Sequence, residues 1–123
     1  MWLREAVATC HDMLSMASPL AEFEHLVLLA IMRLGDAAFP PAMLDEIGDR
    51  TGRPASRGSI YVTLERLEDK GLLRSVLKPG PPARGGRPRR YVRLTRGGEA
   101  ALRESRDALL SLWDGFEERL ENA

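Results

Sequence analysis

Ser56-Arg57-Gly58-Ser59-Ile60-Tyr61-Val62-Thr63-Leu64-Glu65-Arg66-Leu67-Glu68-Asp69-Lys70-Gly71-Leu72-Leu73 reads as a capped helix running into a strand. Ser56 suits an N-cap, because its hydroxyl can accept from a first-turn amide that has no partner within the helix, and Gly71 can close the far end. With Ile60 set at zero and 100° per residue, Leu64 and Leu67 fall within about 40° of it and form the buried stripe. Ser59, Thr63, Arg66 and Lys70 gather near one flank, while Tyr61, Glu65, Glu68 and Asp69 occupy the other half. The first flank can therefore approach phosphates and base edges without meeting the helix's own acids.

Downstream, Leu72 to Lys78 reads as a strand, Pro79 to Pro88 as a Gly/Pro loop and Arg89 to Thr95 as a return strand, which together make a β-hairpin. Thr95 can cap a last helix reaching about Glu121, with Glu99 near its positive end. Upstream, a helix from about Leu20 to Leu34 presents Leu20, Phe23, Val27, Ile31 and Leu34 on one side. Phe39-Pro40-Pro41 opens a shorter helix through Thr51, with Gly52 just past its end. Leu3, Val7, Cys10, Leu14 and Ala17 give a further helical face at the N-terminus. The fold class expected is mainly α with a two-stranded hairpin: a winged helix-turn-helix over residues 19–96, an N-terminal packing helix over 1–18 and a C-terminal dimerisation helix over 97–123. The helix pair is then roughly Pro41 to Thr51 and Ser56 to Lys70, whose second member enters the major groove in this geometry.

Charge is segregated along the chain. Residues 50–98 hold 13 Lys or Arg against three acids, whereas the remainder holds five against 15, so a formal net charge of zero hides a basic middle between acidic flanks. From Lys70 to Gly98 there is no acid at all. Such a segment gathers a polyanion by long-range attraction, and arginine forks suit phosphates and guanine edges. Double-stranded DNA is thus the partner to expect. Ser59, Thr63 and Arg66 are the candidates for base or near-base contacts, with Ser56 beside them as the cap, and Tyr61 is expected either to pack beneath the hairpin or to reach a phosphate. Arg57, Lys70, Arg87, Arg89 and Arg90 are candidates for neutralising phosphates, together with Arg84 near the Gly85-Gly86 tip, which is flexible enough to enter a minor groove. The competing reading is a winged helix used as a protein-interaction module, its basic wing docking an acidic partner. Agreement between two separate elements, the helix flank and the hairpin, favours DNA.

The same residues carry a family resemblance. Ser56-Arg57-Gly58-Ser59-Ile60-Tyr61, Leu64-Glu65-Arg66-Leu67-Glu68-Asp69-Lys70-Gly71-Leu72-Leu73, Gly86-Arg87-Pro88-Arg89-Arg90-Tyr91 and Leu94-Thr95 before Gly98 together resemble the PadR-like transcriptional regulators. The resemblance spans about Leu20 to Leu102. It implies a homodimeric DNA-binding repressor whose C-terminal helix supplies much of the dimer contact. The chain departs from the family pattern at Arg57, often Pro, at Val92, often Tyr, and at Pro41-Ala42-Met43, where the second helix often starts with Gly-Tyr.

Independently of the resemblance, Leu102, Arg106, Leu109, Trp113, Phe116 and Leu120 recur at four- and three-residue steps, a stripe that can bury itself across a two-fold axis. Leu102, Leu109, Trp113, Phe116 and Leu120 are its apolar members and the expected dimer interface. Trp2 and Trp113 are expected either to fill core or interface, or to line a cavity for a small flat aromatic effector. Met13 and Met16 leave open a later start, against which the 3–17 stripe argues for a packing role.

Catalysis finds no support. Cys10 and His11 are adjacent on a helix, so their side chains diverge. Glu22-x-x-His25 has the spacing of a di-iron pair but lacks a second copy, and reads as a surface Glu and His. No metal or cofactor is implied. A single cysteine excludes an intrachain disulfide, and the longest apolar run, Leu26 to Met32, is far short of the roughly 20 residues a membrane helix needs. With no readable signal peptide, the expectation is a cytoplasmic protein.

Overall fold

The computed structural model describes residues 20–121. The N-terminal helix expected over 1–18, with Trp2, Cys10 and His11, lies outside them. Helix α1 (Glu22–Leu34) leads through a 3-10 turn (Gly35–Ala37) into α2 (Pro40–Thr51) and α3 (Arg57–Asp69). Strand β1 (Leu73–Lys78) and strand β2 (Arg89–Leu94) flank a loop holding a second 3-10 turn, and α4 (Arg96–Trp113) and α5 (Glu117–Glu121) follow. This is the mainly α fold with a two-stranded antiparallel hairpin expected for a winged helix-turn-helix.

Local chemistry sets the boundaries. Pro40 and Pro41 occupy the first turn of α2, where a missing N–H costs nothing, and Gly52 ends the helix at a left-handed φ of 68°. Ser56 Oγ accepts the Ser59 amide at 3.1 Å, the N-cap that starts α3. Past Asp69 the chain turns, and the Leu72 amide donates back to the Leu67 carbonyl at 3.0 Å before β1 begins. The hairpin register pairs Leu73 with Leu94, Ser75 with Val92 and Lys78 with Arg89. On its open side β2 takes one more bond, from the Val92 amide to the Ala38 carbonyl at 2.9 Å, which ties the wing to the α1–α2 junction.

The core lies where these elements meet. Val27, Leu28 and Ile31 from α1, Met43 and Ile47 from α2, and Ile60, Leu64 and Leu67 from α3 close over Leu72, Leu73 and Val92 of the hairpin. The buried side of α1 is turned slightly from the expected stripe. Leu28 and Glu24 are buried, while Leu20, Phe23 and Leu34 are only partly so. Ala101 and Leu102 complete the same core. Leu102 is 5% exposed, so it packs within its own subunit and leaves the expected dimer stripe.

The final helix is not continuous to Glu121. Asp114 leaves the helical conformation (φ −51°, ψ 123°) and Gly115 takes φ 87°, a left-handed geometry open to glycine without side-chain strain, before α5 begins. Leu109 and Trp113 therefore lie on one helix, and Phe116 and Leu120 beyond a break.

Thr95 joins the hairpin to α4. Its hydroxyl donates to the Gly71 carbonyl at 2.6 Å and accepts the Gly98 amide at 3.1 Å, while its amide donates to the Leu72 carbonyl. Gly98 lies so close to this crossing that a Cβ there would stand 2.0 Å from the Leu72 carbonyl oxygen. Gly98→Ala is expected to destabilise the fold by about 1–3 kcal/mol, because a rigid carbonyl rather than a flexible side chain must move. A urea melt with an unchanged midpoint would show that the two segments have room to separate.

Candidate nucleic-acid interface

Helix α3 buries Ile60, Thr63, Leu64 and Leu67. Thr63, expected among the base-contacting residues, is only 5% exposed, and its β-branched side chain fills the core side of the helix. It leaves the candidate interface. The exposed residues are Arg57, Gly58, Ser59, Tyr61, Val62, Glu65, Arg66 and Asp69. Ser56 works as the cap, and the Ser59 hydroxyl bonds back to the Ser56 carbonyl at 2.9 Å while keeping acceptor capacity toward solvent.

Lys70 is drawn toward the core, and exposed Arg66 is approached, by a residue the sequence reading passed over. Glu24 is 3% exposed. One of its oxygens accepts the Ala21 amide at 2.9 Å, as in half of a capping box, and the other lies 3.3 Å from Lys70 Nζ and 3.8 Å from Arg66. A buried carboxylate thus clamps the start of α1 to the end of α3. Lys70 is a partner of this clamp rather than an outward phosphate ligand. The available signal was an acid on the same side of α1 as Val27, Leu28 and Ile31, a position that needs a cation.

The wing is similarly divided. Arg89 is half-buried, its guanidinium 4.8 Å from the Phe39 ring centre, and its Nε is buried with no hydrogen-bond partner among the described residues. Phe39 meets Tyr91 at 5.5 Å, and Lys78 stands 4.8 Å over the Tyr91 ring. Arg90 donates to Ser75 Oγ at 2.7 Å and lies 3.5 Å from Glu68, while Ser75 also bonds Glu68, so this arginine pins the hairpin to α3. Arg93 pairs with Asp36. Arg89 and Arg90, expected to neutralise phosphates, are thus engaged with neighbouring side chains of the protein. Arg57, Arg74, Arg87 and Arg96 are exposed with no ion pair among the described residues. Arg84 lies in the wing's 3-10 turn.

A groove of about 770 Å³ separates α1 from α4, lined by Leu26, Leu29, Ala101 and Leu109, with His25 and Ser105 among its polar groups. Trp113 does not line it. His25 is half-buried, Nδ1 lying 2.6 Å from Ser105 Oγ, and burial lowers its pKa from the usual value. Glu22 instead pairs with Arg53 across the surface, so the two residues of the Glu-x-x-His spacing face different partners. No cluster of three metal-ligating side chains occurs among the described residues. None of their helices is long and apolar enough to cross a membrane. Leu109, Leu110, Leu112, Trp113, Phe116 and Leu120 are all exposed along α4 and α5.

Residues 28–104, which contain the helix pair, the hairpin and the first half of α4, match the PadR-like family of transcriptional regulators. The chain belongs to that family. It is 44% identical over 71 residues to the transcriptional regulator Rv3488 of Mycobacterium tuberculosis, a match spanning 58% of this chain and 63% of that protein. Among solved structures it resembles a PadR family regulator from Eggerthella lenta at 29% identity and TM-score 0.61, covering 100% of this chain and 99% of the other. A PadR-like regulator from Bacillus cereus shares the fold at 22% identity and TM-score 0.62, with 90% and 94% covered. The family is one of transcriptional regulators.

In this PadR-like protein the Glu24 clamp sets where α3 ends relative to α1. Glu24→Ala is expected to cost about 1–3 kcal/mol in urea denaturation, since the Ala21 amide and Lys70 lose their acceptor. Lys70→Ala should cost less in that background than in the wild type, and equal costs would show that the pair is not coupled.

Proposed function

We propose that the protein is a cytoplasmic repressor acting as a homodimer on a pseudo-palindromic operator. Each copy lays α3 in a major groove, the two grooves about one helical turn apart. The observation that carries this reading is the division of the surface into two faces. Around α3 and the wing, Arg57, Ser59, Tyr61, Arg87 and Arg74 are free to meet DNA, while along α4 and α5 large apolar groups stand uncovered. The contact roles expected of Arg89, Arg90 and Lys70 pass to these unpaired arginines, with Arg84 retained at the wing tip and Arg66 at the edge of the helix. Leu109, Trp113, Phe116 and Leu120 make the dimer contact. Residues 19–96 then form the DNA-reading unit and 97–123 the dimerisation unit. Repression follows the family resemblance, and relief by a small aromatic effector would use space beside the dimer seam.

Two measurements test the reading. Light scattering should give the mass of two chains, and a Leu109→Glu, Trp113→Glu double variant should give one, with operator affinity reduced about 100-fold or more because the half-sites are no longer bound together. A double variant that remains dimeric would place the interface elsewhere.

Titration of a duplex upstream of the protein's own gene should show affinity falling steeply with salt. Arg57→Ala and Arg87→Ala should each lower the slope of log K against log salt by about one. Unchanged slopes would remove these arginines from the phosphate contacts.

A further inference from the structure

The outermost ridge of α3 is built at the expense of the free protein. Opposite the buried Ile60, Thr63 and Leu67 stand Gly58, Val62 and Glu65, one turn apart along the helix. Gly58 is not required by the fold. It has an ordinary helical backbone, and a Cβ added there would meet only Ser56 Oγ, at 3.9 Å. Alanine would fit and would favour the helix more. Val62 is 55% exposed, so a β-branched apolar residue sits in mid-helix with little burial to offset its lower helix propensity. Glu65 is exposed and has no ion pair among the described residues.

We infer that this ridge reads base edges directly: Val62 seats on the C5-methyl of a thymine in each operator half-site, and Gly58 leaves out a side chain so that α3 can come close enough to make that contact. This rests on α3 being the recognition helix. The thymine methyl is the apolar group that the major-groove edge offers, and an exposed valine on an inserted helix matches it. Glu65 fixes which part of the DNA the ridge faces, because a carboxylate beside a phosphate would be repelled, whereas the amino group of cytosine or adenine on the groove floor donates to it. Glycine is the residue that permits close backbone approach to a ligand, which accounts for Gly58 where the fold does not.

The probe is a duplex enriched from random DNA by the wild-type protein, with each thymine replaced singly by deoxyuridine, which deletes only the methyl. One position per half-site should weaken wild-type binding about four-fold, as expected for one methyl group returned to water. Val62→Ala should bind the thymine and deoxyuridine forms of that position alike while keeping its response to the others. Gly58→Ala should melt at a higher temperature and bind the same duplex at least about ten-fold more weakly, a combination that a purely structural glycine does not give. Equal sensitivity to deoxyuridine in wild type and Val62→Ala, or undiminished binding by Gly58→Ala, overturns the inference while leaving the regulator reading intact. Wild-type protein that binds every duplex equally overturns base reading by this ridge, and protein that binds no duplex at low salt overturns the DNA-binding reading with it.

Discussion

Burial of Ile60, Leu64 and Leu67 is the constraint from which the rest of the molecule follows. These three side chains are fully enclosed by α1, α2 and the hairpin. Removing each from water contributes roughly 1.5–3 kcal/mol, so the rotation of α3 about its axis is not negotiable. Once that rotation is set, every other residue of the helix has its direction assigned. Thr63 is carried into the core beside them, and Gly58, Val62 and Glu65 are carried to the far side.

Charged residues then act as fasteners between elements as well as a lure for a polyanion. Glu24 holds Lys70 and approaches Arg66, joining α1 to α3. Glu68 and Ser75 hold Arg90, joining α3 to the hairpin. Glu46 accepts from Arg50 on its own helix and from Arg33 on α1, and the Arg50 guanidinium holds its carboxyl below the usual carboxylate range. Partners on separate elements are tied, while Arg57, Arg74 and Arg87 remain unpaired among the described residues. A strongly basic stretch of sequence is therefore a smaller set of available cations in three dimensions.

Much of the architecture was legible because it rests on local signals. Pro40-Pro41, Gly52, Ser56 and Thr95 mark element ends through hydrogen-bond and backbone rules that act within a few residues. The misread residues depend on contacts between distant segments. Thr63 lay at the edge of a helical wheel, where about 60° decides between core and solvent, and the packing of neighbouring elements chose core. Glu24 and Lys70 are 46 residues apart, and Arg89 reaches Phe39 across 50 residues, distances over which periodicity carries no information. The break at Asp114-Gly115 had a local signal in its glycine, outweighed in the reading by an apolar stripe that continued across it.

Thr95 gives the C-terminal helix a stiff foundation, since one hydroxyl binds the end of α3 and the start of α4 together. The 18 residues of α4 reach about 27 Å from that point. In a dimer joined at the far end, a tilt of about 10° at the base displaces the tip by about 5 Å, more than one base-pair step of about 3.4 Å. Under the proposed dimer the helix would be a lever whose angle sets the distance between two reading heads, and a small molecule wedged beside its shaft would have mechanical advantage over DNA contacts it never touches.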